Sequence, residues 1–161
     1  MFKFRLLTSK DFSLMFEWLS KDHVKQWWND GDDTIEKVTF HYGKEVDNLF
    51  RFILLEVIET VEKPIGYFQY YLVSKDIIEI DQFIGEAGYV NRGVGEKTIK
   101  MFVELIMRRH QPRQIILDLS PENKRAIRCY EKVGFKHYET KKTKVENAAF
   151  MMCLELDSPI D

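Results

Sequence analysis

The sequence predicts a mixed α/β protein with helices packed against a central sheet. Short runs of alternating or β-branched residues predict strands, apolar residues at helical spacing predict helices, and the two kinds of segment are interspersed along the chain. With 161 residues, 45% of them apolar and 31% charged, the chain has the composition of an ordinary globular domain and can bury a core. It contains no internal repeat, low-complexity tract or linker, so we expect one domain spanning residues 1–161.

The first half of the chain is predicted to hold a strand, several helices and a hairpin. Phe2, Phe4 and Leu6 alternate with basic residues, which is typical of a short strand. Residues Thr8 to Asp11 match a capping box, and the apolar residues after them recur at helical spacing. The other elements predicted here are helices including Val24 to Trp28 and Ile35 to Tyr42, a strand from Phe50 to Val57, a turn at Lys63-Pro64 and a strand from Ile65 to Leu72.

The second half is predicted to alternate strands with two further helices. Ile77 to Ile84 has strand composition but is interrupted by the charged Glu79 and Asp81. Gly85 to Gly95 is irregular and contains glycines, and a long helix follows it. The last predicted elements are a strand from Ile115 to Leu119, a helix from Asn123 to Val133, and two strands after Lys136, the second near Phe150 to Leu156.

Charge and composition argue against several classes of function. The formal net charge is −2, so no overall basic field favours nucleic acid or an anionic membrane. The N-terminus lacks the apolar core of a signal peptide, and no apolar run is long enough to span a bilayer. We therefore expect a cytoplasmic protein that binds neither nucleic acid nor a membrane, with monomer and homodimer both open.

Metal and disulfide chemistry are not expected either. Cys129 and Cys153 have no CxxC spacing, and we predict two free buried thiols, with a disulfide or metal site as the alternative. The four histidines are scattered and form no HxxxH-type pair. We therefore predict no metal site.

The segment from Asn91 to Lys97 joins a predicted strand to the long helix and contains Gly93 and Gly95. Glycines let the backbone approach a ligand closely, and the unpaired amides at the start of a helix bind phosphate. Arg92 and Lys97 add positive charge. The segment matches neither the P-loop nor the GxGxxG pattern, so on its own it does not distinguish a phosphate site from a plain turn.

Residues Asn123 to Phe135 closely resemble the second signature of the GCN5-related N-acetyltransferase (GNAT) superfamily. The Arg92-Gly93-Val94-Gly95 loop lies upstream at the separation that the first signature of that superfamily requires. The resemblance covers nearly the whole chain, and it implies a mixed, mostly antiparallel sheet of about six to seven strands flanked by about four to five helices. It also implies acetyl-CoA as co-substrate and direct acetyl transfer to an amine in a ternary complex.

Within this superfamily the sequence is most similar to the aminoglycoside 6'-N-acetyltransferases. The run from Ile80 to Glu86 is the most distinctive match, and the others are Glu17-Trp18-Leu19, Val24 to Trp28, Pro64 to Tyr67 and Arg125 to Tyr130. The resemblance implies that the acceptor is the 6'-amine of an aminoglycoside and that the role is antibiotic resistance. The alternatives are another amine (a siderophore precursor, a polyamine or a protein N-terminus) and a degenerate acetyl-CoA-binding sensor.

Two residues are predicted to carry the chemistry. A carboxylate near the acceptor can hold an ammonium group and take its proton. Asp81 lies in an otherwise apolar strand, where a charge needs a partner or a purpose, and both base and amine anchor are open; a structural carboxylate is the alternative. Tyr130 resembles the general acid of the family, which protonates the leaving thiolate, although a Tyr at this place can simply pack its helix against the sheet.

The resemblance also implies contacts with the coenzyme. An amide near Gln82 or Phe83 is expected to stabilise the developing oxyanion at a bulge, and the backbone of Phe83 and Gly85 is expected to pair with the pantetheine arm. The remaining residues assigned to the coenzyme are Asn91, Arg92, Gly93, Val94, Gly95, Lys97, Asn123 and Ala126. Asn123 is expected to cap its helix as well as contact the coenzyme, and capping without such a contact is the alternative.

Contacts with the acceptor are predicted on two further segments. Trp27 and Trp28 are candidates for a flat wall against a sugar ring, with one of them expected in the core. Asp118 lies at the end of a predicted strand and is expected either to hold a second substrate amine or to satisfy loop amides. The acidic residues after Trp28 are predicted to form a solvated turn rather than an acidic mouth, and they are Asp30, Asp32, Asp33 and Glu36.

Overall fold

The computed structural model describes residues 1–142 and 148–157. Within these residues the chain forms seven strands and five α-helices. In chain order they are β1 (Phe2–Leu6), α1 (Phe12–Leu19), α2 (Asp22–Lys25), α3 (Ile35–Gly43), β2 (Leu49–Ile58), β3 (Val61–Leu72), β4 (Ile77–Ile84), α4 (Val94–Arg109), β5 (Gln114–Leu119), α5 (Lys124–Val133), β6 (Lys136–Lys142) and β7 (Ala148–Glu155). No helix in this part of the chain is both long and apolar enough to cross a membrane.

The seven strands form one sheet in the order β1-β2-β3-β4-β5-β7-β6. β1 pairs antiparallel with β2, and β7 pairs antiparallel with both β5 and β6. β4 and β5 are parallel, and α4 supplies the crossover that a parallel pair requires. The prediction of a mixed sheet flanked by helices is therefore confirmed.

The chain divides into two compact units. The first comprises Met1–Gln69 and Gln82–Val90, and aromatic and aliphatic side chains of α1, α3, β2 and β3 form its core. The second comprises Tyr70–Asp81 and the described residues from Asn91 onward. Buried side chains of the second unit include Ile78, Ile80, Ile99, Phe102, Ile106, Ile115, Leu117, Phe135 and Met152. The single domain expected over residues 1–161 stays a prediction, and its last four residues and 143–147 lie outside the described residues.

The predicted capping box, Thr8 to Asp11, forms around a short 3₁₀ turn that leads into α1. The Thr8 amide donates to Asp11 Oδ2 at 2.8 Å, and both Arg5 terminal nitrogens donate to the same carboxylate at 2.7 Å. Asp11 is only 5% exposed. Burial by itself raises the pKa of Asp11, but the hydrogen bonds from Arg5 and Thr8 outweigh it, and the pKa is lowered. The carboxylate is therefore stabilised in its charged form and ties β1 to α1.

Replacing Asp11 with asparagine is expected to lower the free energy of unfolding by about 2 kcal/mol at neutral pH, because it leaves the Arg5 guanidinium without its partner. The folded pKa lies below the unfolded one, so this stabilisation is present above the unfolded pKa and is lost as pH falls through the folded pKa. Urea unfolding at several pH values measures it. A pH dependence in acid that is identical for the variant and the wild type would contradict the assignment.

Two predicted boundaries were wrong. The turn between β2 and β3 is at Glu59–Thr60, where Glu59 has a left-handed φ of 56°, and Lys63-Pro64 lies inside β3. Proline is a strong turn signal, but strand pairing can absorb it at positions that need no N–H donor. The second helix, α2, ends at Lys25, so Gln26 to Trp28 are not helical. The Trp28 ring instead packs against aromatic side chains of β3 and β4.

Candidate active site

Asp81 lies in β4 beyond the point where β4 separates from β5. Among the described residues, the ladder between these strands joins Ile77 to Gln114, Ile78 to Ile115 and Glu79 to Ile116. β5 continues alongside β7, where Asp118 pairs with Met151. Asp81 and Asp118 thus both follow the last pair that joins the two strands. Because side chains alternate along a strand, Glu79 and Asp81 lie on the same face of β4.

Tyr130 lies on α5 and is 8% exposed, with the ring of Phe135 edge-on at 5.6 Å. Burial, and then the charges of Asp81, Cys129 and Asp118, raise the pKa of Tyr130 well above its ordinary value. The phenol therefore stays protonated at neutral pH and can act as a proton donor. Asp81 and Asp118 therefore lie near enough for their charges to act on the Tyr130 phenol.

Glu79 belongs to the same group of side chains, although it was not predicted as a site residue. It is half-buried, and burial followed by the charge of Asp118 raises its pKa. In the described part of the chain neither Glu79 nor Asp118 forms an ion pair. The signal that could have identified Glu79 from the sequence is its position two residues before Asp81, on the same face of the strand. The second unit therefore has a strongly acidic strand face suited to cationic ligands.

The glycine loop turns into α4 as predicted. Gly93 is the N-cap of α4 with a left-handed φ of 75°, and Asn91 also has a positive φ of 63°. A Cβ at Gly93 would meet nothing within 4 Å, whereas a Cβ at Gly95 would lie 3.3 Å from Cys129 Sγ. Gly93 therefore serves the backbone turn, and Gly95 lets α4 and α5 pack closely. The first amides of α4 have no intrahelical acceptor and, with the exposed Arg92 and Lys97, can face an anion.

Asn123 caps α5, which confirms the capping interpretation. Its side-chain oxygen accepts a hydrogen bond from the Ala126 amide at 3.4 Å. The Ala126 amide is engaged by this cap, so a coenzyme contact there would use another atom or replace the cap. The coenzyme contacts of both residues stay predictions.

The two residues after β4 share one hydrogen-bond acceptor. The Gly85 and Glu86 amides both donate to the Ile65 carbonyl, at 2.8 and 3.2 Å. The bulge and the oxyanion amide near Gln82 or Phe83 stay predictions. The Gly85 amide is thereby occupied. Any pairing of Gly85 with a pantetheine arm would have to use its carbonyl oxygen while this bond is present.

Side chains of α1, α2 and the residues between them hold the end of β4 in place. Trp18 Nε1 donates to Glu86 Oε1 at 3.0 Å, and Lys21 forms an ion pair with Glu86 at 3.4 Å. His23 Nε2 lies 3.0 Å from the Ile84 carbonyl oxygen. The distinctive run Ile80 to Glu86 therefore includes a structural carboxylate, Glu86, whose role the sequence did not reveal because its partners lie about 65 residues away.

The two predicted tryptophans differ in exposure. Trp27 is 38% exposed, whereas Trp28 packs edge-on against Tyr67 and Phe83, with ring centroids 5.9 and 5.1 Å away. Trp28 also lines a cavity of about 150 Å³ together with Lys25 and the acidic residues before α3. Trp28 also packs against the core of the first unit, which agrees with the expectation that one of the two tryptophans lies in the core.

The acidic turn before α3 is not simply solvated, so that prediction was wrong in part. The Asp32 side chain is only 10% exposed and lies 2.7 Å from His41 Nδ1. Burial raises the pKa of Asp30, with a smaller contribution from the charge of Asp32. Asp33 is exposed and pairs with Lys37, as a surface residue would. The sequence did not indicate this burial because it depends on contact with α3.

The Tyr42 hydroxyl is buried close to these acids. Burial raises the pKa of Tyr42 far above its ordinary value, the Trp28 indole N–H counters part of the rise, and the charges of Asp30 and Asp32 add to it. Even so, neither Trp28 Nε1 nor the Tyr42 hydroxyl forms a hydrogen bond of normal geometry with a described residue.

The chain is similar in sequence to known acetyltransferases. Residues 8–143 match the family described as "Acetyltransferase (GNAT) domain". The chain is 31% identical over 163 residues to aminoglycoside N(6')-acetyltransferase type 1 of Klebsiella pneumoniae, covering 92% of this chain and 80% of that protein. It is 40% identical over 73 residues to a kanamycin resistance protein of Rhizobium radiobacter, covering 45% of this chain and 68% of that protein.

Solved structures give the same result for the fold. The aminoglycoside acetyltransferase AAC(6')-Ib in complex with coenzyme A and kanamycin superposes with a TM-score of 0.82 at 29% identity, over 96% of this chain and 95% of that one. Spermidine N-acetyltransferase from Vibrio cholerae, in complex with CoA and spermine, superposes with a TM-score of 0.83 at 15% identity over 96% and 95%. The second likeness is one of fold alone.

Proposed function

The chain belongs to the GNAT acetyltransferase family, and on that premise we propose that its acceptor is the 6'-amine of an aminoglycoside, acetylated directly within a ternary complex. The protein is an acetyl-CoA-dependent N-acetyltransferase. The observation that carries the choice of acceptor is the acidic face of β4 and β5, where Asp81 and Asp118 charge the surroundings of Tyr130 and Glu79 adds a third carboxylate. A polycationic amine complements such a face.

The reaction needs a proton acceptor at the amine nitrogen and a proton donor at the leaving sulfur. Asp81 holds the acceptor ammonium and takes its proton directly or through water, which leaves a neutral amine. The amine nitrogen attacks the thioester carbon, and the carbon–sulfur bond breaks as the amide forms. The buried phenol of Tyr130 donates its proton to the leaving thiolate. The nitrogen, which becomes cationic on attack, loses its second proton to solvent, and solvent returns a proton to the phenolate. The products are the N-acetylated amine and coenzyme A.

The coenzyme is assigned to the α4 start and the end of β4. The amides after Gly93 and the positive charges of Arg92 and Lys97 would hold the pyrophosphate, with Asn91, Val94, Gly95, Asn123 and Ala126 around them. An amide at Gln82 or Phe83 would stabilise the oxyanion, and the carbonyl of Gly85, whose amide is occupied, would meet the pantetheine arm.

The acceptor is assigned to the carboxylates and to one tryptophan. Asp118 and Glu79 would hold a second ammonium group, since neither has an ion-pair partner in the described part of the chain. Trp28, rather than the more exposed Trp27, would supply the flat surface for a sugar ring.

The acceptor is tested by measuring thiol release from acetyl-CoA with kanamycin and with a matched aminoglycoside that carries a hydroxyl at the 6' position. We expect turnover with the first only, and a product whose acetyl group is located on the 6' nitrogen by NMR. A siderophore precursor, a polyamine and a peptide with a free N-terminus complete the panel. Turnover confined to one of these, or equal turnover of the two aminoglycosides, would overturn the proposed acceptor.

Replacing Tyr130 with phenylalanine is expected to lower kcat by about tenfold while the Kd for acetyl-CoA stays within about twofold. The effect falls below the usual range for general acids because a thiolate, with a reference pKa of about 8.5, is already a fair leaving group. Pre-steady-state and steady-state rates across pH measure it. An unchanged kcat over the whole pH range would exclude Tyr130 as the acid.

Replacing Cys129 with alanine is expected to leave kcat/KM within about threefold. Burial raises the pKa of the Cys129 thiol, so it is protonated at neutral pH and is a poor nucleophile. Burial and Glu155 raise the pKa of Cys153 to about 11, so the same holds for the second thiol. Intact-mass spectrometry after mixing with acetyl-CoA should find no acetylated enzyme. A covalent acetyl adduct that disappears with the alanine variant would instead establish an acyl-enzyme.

A further inference from the structure

We propose that Asp30, Asp32 and His41 bind a divalent transition-metal ion of the Zn²⁺ type, and we call these three residues the 30–41 cluster. One carboxylate oxygen from each aspartate and one ring nitrogen of His41 lie within 4.8 Å of one another. Zinc bonds of about 2.0 to 2.2 Å hold ligand atoms about 3 to 4 Å apart, so small side-chain rotations suffice to close around an ion. All three residues belong to the first unit.

The charge of Asp32 is poorly compensated without a cation. Only 10% of the Asp32 side chain is exposed, and its one hydrogen-bond partner among the described residues is His41 Nδ1 at 2.7 Å. Asp30 places a second carboxylate next to it, with an oxygen within 4.8 Å of the other ligand atoms. The nearby Lys37 is already paired with Asp33. A divalent ion would neutralise both carboxylates at once.

The buried hydroxyl of Tyr42 is a second observation that points to a ligand at the 30–41 cluster. Tyr42 is 4% exposed, its ring stacks on His41 with centroids 4.4 Å apart, and its hydroxyl forms no hydrogen bond of normal geometry with a described residue. Buried polar groups are normally satisfied, and a water molecule bound to the ion would donate to the phenol oxygen. The adjoining cavity of about 150 Å³ has room for such water ligands.

The ligand set selects the class of metal. Oxygen-only sites suit Mg²⁺ and Ca²⁺, whereas an imidazole nitrogen combined with two carboxylates suits Zn²⁺ and its first-row neighbours. The cluster also joins two pieces of chain, since Asp30 and Asp32 precede α3 and His41 lies in its last turn. The ion would therefore tie the acidic segment to α3. The histidine is nine residues after Asp32, which is why spacing rules for zinc motifs did not reveal the site.

Isothermal titration of the chelator-treated full chain with ZnCl₂ tests the proposal without reference to acetyl transfer. We expect one Zn²⁺ per chain and a rise in Tm on binding. His41→Ala and Asp32→Asn should each raise the Kd by at least about tenfold. Asp33→Asn is the matched control, because it removes the same charge one residue away from an exposed side chain paired with Lys37, and its Kd should equal that of the wild type.

Visible absorption with Co²⁺ in place of Zn²⁺ gives a second readout, since bands typical of low coordination should be present in wild type and Asp33→Asn and absent from the cluster variants. If His41→Ala does not fold, Asp30→Asn at the exposed end of the cluster decides the question. Binding of equal strength in wild type and all cluster variants would mean an adventitious ion only. That result, or no binding by wild type at tenfold excess of metal, overturns the proposal.

Discussion

Replacing Asp81 with asparagine is expected to lower kcat/KM for the amine acceptor by at least about 100-fold. Asparagine keeps the size of the side chain and removes its charge, so the variant can neither hold an ammonium group by charge nor accept its proton. Asp81 is half-buried in β4, and this increases the expected loss, because two charges attract each other more strongly away from water than at the surface. Steady-state kinetics with acetyl-CoA and kanamycin measure the change, and circular dichroism reports whether the variant is folded.

The same variant distinguishes a base from an anchor. If Asp81 removes the proton, an acceptor amine of low pKa, largely neutral at pH 7, should recover much of the lost rate in the asparagine variant. If Asp81 only anchors the cation, the weakly basic amine should be poor with wild type and variant alike. A rise of rate with pH in the variant, following the titration of the acceptor amine, would also indicate the base.

The control for Asp81→Asn is Asp76→Asn. It makes the same change of charge at the exposed approach to β4, where Asp76 lies 3.7 Å from Arg113, and its rate should stay close to that of wild type. Loss of the fold in the Asp81 variant would favour a structural carboxylate. A rate within a few-fold of wild type in a folded Asp81 variant would remove Asp81 from the catalytic assignment.

The fold was predictable wherever the local residue pattern and the packing of that segment against its neighbours favour the same element. The bounds of β4 were predicted to the residue, since apolar alternation over Ile77–Ile84 ends at a glycine. The long helix predicted after the glycine-containing segment is α4, and its buried residues Ile99, Phe102 and Ile106 recur at helical spacing. The turn after β2 was not predictable from its residues, because Glu59 and Thr60 are weak turn formers and the sheet decides where the chain reverses.

The site was predictable only where one segment carries the chemistry. Asp81 and Tyr130 follow from local motifs, and the structure places the charge of one within reach of the other. Glu86, His23 and Trp18 were missed because their roles arise from contacts across about 60 residues or more of chain. The burial of Asp32 against His41 was missed although the two residues are only nine apart, because it depends on how the acidic segment packs against α3. Packing between segments, which no local motif encodes, thus determined both the supports of β4 and the 30–41 cluster.

Replacing Gly85 with alanine is expected to lower the free energy of unfolding by about 3 kcal/mol or more, since overpacking a closed core forces neighbouring groups to move. A Cβ at Gly85 would lie 2.2 Å from Cδ2 of Trp18, which is fully buried, packs on Phe83 and donates to Glu86. Gly88→Ala is the matched control, because a Cβ there meets nothing within 4 Å. Urea unfolding should therefore separate the two variants clearly.

Adding Trp18→Leu to Gly85→Ala should recover part of the loss relative to the sum of the single changes, because both act on the same contact. Equal stabilities of the two glycine variants would contradict the close packing of Trp18 on the end of β4.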